Sequence, residues 1–180
     1  MSTSSQFSLL ILFFNLSLLI GFSFGHFIPS VCKQIKNETF CKEILGSNPK
    51  AKRANLFALE KIVINLTISR VNATNDKVNS LLLKIKDQNL RNIYGNCSSN
   101  YEDAVAFLEQ AKLYLKYKQF WDLGYCAKDA NLDASFCEES FKKADLPSPL
   151  TNDNYVLGLL CDIIVVISNM LLKINVELLF

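Results

Sequence analysis

Histidine is almost missing from this 180-residue chain: the single one is His26. That excludes a histidine-centred catalytic triad and a histidine metal cage, since each needs an imidazole set among partner side chains. No Cys-x-x-Cys spacing occurs either. The six glycines, Gly21, Gly25, Gly46, Gly95, Gly124 and Gly158, are all isolated, so no glycine-rich phosphate loop can form. A charge excess of one sign is also lacking. Nineteen basic residues are interleaved with 17 acidic ones, for a net charge of +2, and nothing points to nucleic acid or an anionic membrane surface. Glycosidases need only two carboxylates, and Glu138 with Glu139, Glu102 with Asp103, and Asp129 with Asp133 are pairs worth weighing. All lie on expected helix surfaces among lysines, where solvation explains them. No catalytic residue, metal or cofactor is therefore expected.

What is present begins with an apolar stretch from Leu9 to Ile20, broken by Asn15 and Ser17 and followed by small residues to Gly25. It reads as a signal peptide over residues 1–25, although Lys and Arg are missing before it. The run is short for a bilayer span, so no membrane attachment is expected after cleavage. The remainder, residues 26–180, suits one domain with a real core. It holds all six cysteines, Cys32, Cys41, Cys97, Cys126, Cys137 and Cys161. Export makes pairing among them the default, but cysteine arithmetic does not choose the pairs. Cys126 and Cys137 are excluded from each other, because eleven residues of helix set them about 16 Å apart. Sequons at Asn37, Asn65, Asn72 and Asn96 suit the same secretory route.

Along this remainder the apolar residues recur at helical spacing. A cysteine-flanked unit over residues 32–50 ends at Gly46-Ser47-Asn48-Pro49. From Ala51 to Ile85 neither Gly nor Pro intervenes, and Leu56, Leu59, Val63 and Leu66, then Val71, Val78, Leu81 and Ile85, predict one long helix or two joined near Asn72 to Asp76. A second helix is expected after a Gly95-to-Ser99 turn, capped by Ser99 or Asn100, with Glu102 and Asp103 in its first turn. Its stripe is Tyr101, Ala104, Leu108, Ala111 and Leu115. A third runs from Asp122 to Phe141, its alanines allowing a neighbour close approach. Pro147-Ser148-Pro149 breaks the chain, and Thr151 or Asn152 caps a last helix striped by Val156, Leu160, Ile163, Ile167, Met170 and Ile174. Its extra Ile and Val residues imply cover on more than one side. The reading is all-α, an up-down-up-down four-helix bundle.

The cysteines and their neighbours resemble the plant invertase and pectin methylesterase inhibitor family over nearly the whole of residues 26–180. Val31-Cys32-Lys33 with Thr39-Phe40-Cys41 is similar to the family's first cysteine pair, in an N-terminal helical hairpin. Cys97-Ser98-Ser99-Asn100-Tyr101-Glu102-Asp103-Ala104 resembles the start of its second bundle helix. Ala134 to Phe141 resembles its third-helix cysteine motif, and Ser148-Pro149-Leu150-Thr151 with Asn154 the approach to its fourth helix. The resemblance implies the disulfides Cys32–Cys41 and Cys97–Cys137. It leaves Cys161 as a small buried hydrophobe and the state of Cys126 open.

Function follows as an expectation from the same resemblance: a secreted protein of the cell wall (apoplast), with the vacuole as second compartment, that inhibits a protein partner. The expected partner is an acid invertase, occluded at its active-site cleft; the alternative within the family is a pectin methylesterase as target. Apart from the resemblance, a carrier of small apolar ligands is a further alternative, since a secreted disulfide-rich helical protein can enclose a cavity. Invertase inhibitors of this family present a Pro-Lys-Phe element in the turn between the second and third bundle helices. Here the nearest match is Lys118-Gln119-Phe120. The expected contact surface is therefore Lys118, Gln119, Phe120 and Asp122, with Phe120 touching the target and Trp121 in the core.

Overall fold

A computed structural model describes residues 27–177. The expected signal peptide, residues 1–25, lies outside them, as does His26. Two short helices, α1 (Phe27–Cys32) and α2 (Glu38–Gly46), make the N-terminal hairpin. Asn37 starts α2 by accepting a hydrogen bond from the Phe40 amide at 3.0 Å. The Cys32–Cys41 disulfide closes the hairpin, with Cα atoms 5.4 Å apart. After a single 3-10 turn at Ala51–Arg53, α3 (Leu56–Leu82) begins on the Asn55 side chain, which accepts from the Ala58 amide at 2.8 Å. The helix runs unbroken past Asn72 to Asp76, consistent with its lack of Gly and Pro.

The second bundle helix, α4 (Gln88–Lys116), corrects the sequence reading. No turn interrupts Gly95 to Ser99, and the cap is Asp87, whose carboxylate accepts from the Leu90 amide at 2.8 Å. A helical glycine costs about 1 kcal/mol. That cost is outweighed because Ile93 and Tyr94 are buried in the extra turns, and the Ser98 hydroxyl lies 2.9 and 3.0 Å from the side-chain oxygens of Asn75 and Asn79 on α3. Glu102 and Asp103 consequently stand in mid-helix. Helices α5 (Phe120–Lys143) and α6 (Thr151–Glu177) complete the bundle.

The packing is cyclic: α3 lies against α4, α4 against α5, α5 against α6 and α6 against α3. Both hairpin helices rest on α6 as well. That extra cover answers for the richness of α6 in Ile and Leu, whose mean hydropathy of 2.2 over 18 residues equals that of a membrane-crossing helix by length and composition. It also moves the stripe. Asn154, Leu157, Cys161, Ile164, Ser168 and Leu171 join Leu160, Ile163 and Ile167 in the core, whereas Ile174 is exposed and Val156 and Met170 are half-buried.

Candidate functional site

Helix α5 is held against its neighbours by contacts along its inner side. Cys137 is bonded to Cys97 of α4 with Cα atoms 4.6 Å apart, and the edge of one ring meets the face of the other where Tyr94 packs on Phe141, centroids 5.2 Å apart. Ala104 and Ala111 of α4 and Ala127, Ala130 and Ala134 of α5 are buried, so the backbones approach closely. Toward α6, a methyl group at Gly124 would stand 2.9 Å from the Ser168 Oγ. A hydrogen-bonded relay then ties three helices: Tyr101 Oη donates to Asn154 Oδ1 at 2.5 Å, Asn154 Nδ2 to Glu138 Oε2 at 2.8 Å, and Thr151 Oγ1 to Glu138 Oε1 at 2.5 Å. Burial, followed by the Asp153 and Glu138 carboxylates, raises the Tyr101 hydroxyl and keeps it protonated as a donor.

The outer side begins at the short α4–α5 turn, where Lys118 adopts a φ of 57° and both Lys118 and Gln119 are exposed. Here the burial of two aromatics is the reverse of that expected. Phe120 is 5% exposed and Trp121 is 60% exposed. The cause is register: Phe120 shares a helix face with Leu123 and Ala127, which point into the core, and one residue further on rotates a side chain by about 100°. Trp121 therefore heads a different row, with Tyr125, Lys128, Leu132 and Phe136, all exposed. The Trp121 and Tyr125 rings lie 5.3 Å apart, and the Lys128 ammonium sits 5.2 Å from the Tyr125 centroid. Sequence reasoning missed this row because its spacing is that of any buried stripe.

Between this row and α4 lies an acidic seam. Asp122 and Asp129 are half-buried and Asp133 is buried, with one carboxylate oxygen lacking any hydrogen-bond partner. Burial, then Asp103 across the seam and Asp129 on the same helix, push the Asp133 carboxyl up to about 6. Cys126 is free and buried in the seam, and burial with the nearby Asp129 and Asp122 raises its thiol to about 11. Cys161, also free, is fully buried and raised likewise, so neither is a reactive thiolate.

A sequence profile described as plant invertase/pectin methylesterase inhibitor matches residues 26–167. The chain belongs to that family. Its relatives include a pectinesterase inhibitor of Actinidia deliciosa, 33% identical over 82% of this chain and 80% of that protein. A Platanus acerifolia protein named provisionally as an invertase inhibitor is 30% identical over 83% of this chain and 88% of its own length. Among solved structures, a mutant form of a pectin methylesterase inhibitor from Arabidopsis superposes with a TM-score of 0.72, at 28% identity, over 80% of this chain and 96% of that one.

The family consists of non-catalytic inhibitors, and this member is an inhibitor of a plant cell-wall carbohydrate-active enzyme of invertase or pectinesterase type. Tyr101 and Glu138, which carried part of the resemblance, are linked through Asn154, which carried another part, so these residues tie α4, α5 and α6 together. Asn65, Asn72 and Asn96 stand exposed on α3 and α4, while Asn37 is half-buried at the start of α2 with its amide 3.4 Å from the Tyr155 hydroxyl. A concavity of about 820 Å³ between α5 and α6 is open to solvent and rimmed by Lys36, Glu138, Glu139, Lys142, Lys143 and Asp162. Tyr155, Gly158 and Leu159 also line it, and it is its openness to solvent that differs from the enclosed chamber a carrier of apolar ligands needs.

Proposed function

We propose that this protein is exported to the plant cell wall and inhibits a pectin methylesterase there, by lying across its active-site cleft. The observation that carries this choice over acid invertase is the α4–α5 turn. Of the expected contact residues, Phe120 is in the core, Gln119 stands in place of the lysine that the invertase-inhibitor element presents, and Lys118 precedes it in a left-handed backbone conformation. An invertase cleft offers carboxylates for a lysine to pair with, and this turn offers no lysine in the expected place. Several relatives named as pectinesterase inhibitors, in Actinidia deliciosa and Arabidopsis thaliana, support the same target.

The contact surface in this reading is Tyr117, Lys118, Gln119, Trp121 and Asp122, with exposed Trp121 as anchor in place of Phe120. Glycans on Asn65 and Asn72 would not obstruct it. Both lie on the exposed side of α3, the helix diagonal to α5 in the cyclic packing. The test is titration of the oxidised, mature protein against an acid invertase and a pectin methylesterase at mildly acidic pH. Stoichiometric inhibition of the esterase alone is expected; inhibition of the invertase alone would return the target to invertase, and inhibition of neither would end the inhibitor reading.

A further inference from the structure

The four sequons within residues 27–177 differ in setting. Asn65, Asn72 and Asn96 lie inside long helices, and the hydroxyl residue of each triplet, Thr67, Thr74 or Ser98, is buried. Asn37 is different. It stands at the start of α2, and Thr39 of its triplet is exposed. Its two side-chain polar atoms also have separate tasks. Oδ1 caps the helix by accepting from the Phe40 amide at 3.0 Å, whereas Nδ2, the atom to which an N-linked sugar bonds, takes no part in the cap. Nδ2 lies 3.4 Å from the Tyr155 hydroxyl instead. A sugar on Asn37 therefore leaves the helix capped.

Tyr155 places Asn37 at the edge of the groove between α5 and α6. That groove measures about 820 Å³, and both Tyr155 and Lys36, the residue before Asn37, line it. The Tyr155 side chain is half exposed, and Asn131, Ser135, Glu139 and Lys142 supply polar groups along the same walls. Among the described residues, Lys36 and Lys142 enter no ion pair. An exposed ring among dispersed donors and acceptors suits a pyranose, whose C–H face stacks on the negative face of the ring while its hydroxyls take the polar side chains.

We infer that Asn37 carries an N-linked glycan and that the α5–α6 groove is its seat. On the secretory route the sugar comes from a lipid diphosphate-linked oligosaccharide. The bond from Nδ2 to the sugar C1 forms, the bond from C1 to the diphosphate oxygen breaks, the lipid diphosphate leaves with the electron pair, and Nδ2 gives up one proton to solvent. The first sugar then stands beside Tyr155, later ones follow the groove along α5, and branches leave through its open side. Since the Cys32–Cys41 disulfide is internal to the hairpin, these sugars bridge hairpin and bundle. The inference rests on the export proposed above and is independent of which enzyme is inhibited.

The experiment uses the full chain secreted from plant cells held to high-mannose glycans. Glycopeptide mass spectrometry reads the occupancy of Asn37, and digestion with an endoglycosidase before and after denaturation reads its protection. The variants are Thr39→Ala, which destroys the sequon and keeps the Asn37 cap, Tyr155→Ala, and Tyr155→Phe, with circular dichroism melts to establish that each is folded. Asn37 should be occupied in the wild type and bare in Thr39→Ala. Its glycan should be released at least about tenfold more slowly from the native than from the denatured wild type. Tyr155→Ala should keep the occupancy and lose the protection, whereas Tyr155→Phe, which retains the ring, should keep both. A bare Asn37 in the secreted wild type would overturn the site, and equal native release from the wild type and Tyr155→Ala would overturn the seat. A chain retained inside the cells would refute export and take the glycan with it.

Discussion

On its inner side α5 spends Cys137 on a covalent tie to Cys97, Phe141 on the Tyr94 ring and Glu138 on two donors from α6. On its outer side the same helix leaves Trp121, Tyr125, Leu132 and Phe136 in solvent, beside carboxylates without cations. One side has satisfied its groups against neighbouring helices; the other meets no neighbouring helix, and its Trp121 and Tyr125 rings touch one another and Lys128. In the proposed reading the difference separates stability from recognition on a single helix, so substitutions on the two sides should fail in different assays.

Breaking the inner side should give the largest effect. Replacing Cys97 and Cys137 together by Ala is expected to lower the unfolding free energy by about 4 kcal/mol, from the loss of a constraint on a 40-residue separation in the unfolded chain. Urea unfolding checks it. A second effect sharpens the comparison by locating strain on the inner side of another helix. Glu60 of α3 is fully buried with both carboxylate oxygens unpartnered, and burial holds its carboxyl well above the ordinary 4.5. A raised folded value means that stability is full at pH below the ordinary value and declines as pH rises toward ionisation of the folded group. Glu60→Leu should therefore stabilise by about 1–3 kcal/mol, and its gain over the wild type should grow with pH.

Smaller effects belong to the seam and the outer row. Asp133, raised from 3.8 to about 6 by burial and then by Asp103 and Asp129, contributes stability that is present below about pH 4 and lost as pH rises through about 6. Asp133→Asn should flatten that part of the profile by about 1 kcal/mol, the cost of charging a side chain that has one buried, unpartnered oxygen; unfolding at acidic and neutral pH checks it. Trp121→Ala should change stability by less than about 0.5 kcal/mol, since the side chain is 60% exposed. Its melting curve should overlay the wild type while its inhibition is lost.

Much of this fold was legible in the sequence because apolar spacing and the Pro147-Ser148-Pro149 break act locally. The disulfide partners were legible only through family resemblance, since spacing leaves several pairings open. The α4 boundary was misjudged because Gly95 and its polar neighbours look like a turn until Tyr94, Ile93 and Ser98 acquire partners on other helices. Glu60 resembles a surface residue because its burial comes from tertiary cover. The Phe120 and Trp121 roles turn on a one-residue rotation, and helix boundaries read from sequence are uncertain by at least that much. The outer row was hidden for a related reason: periodicity identifies a face but not what covers it.

The central claim is that exposed Trp121 anchors the target, and the chain contains no other tryptophan to confuse a report on it. Incorporating 5-fluorotryptophan gives one fluorine resonance at the head of the outer row. Added pectin methylesterase should shift and broaden that resonance in parallel with inhibition, and an acid invertase should leave it unchanged. Full inhibition of the esterase with the resonance unmoved would contradict the account.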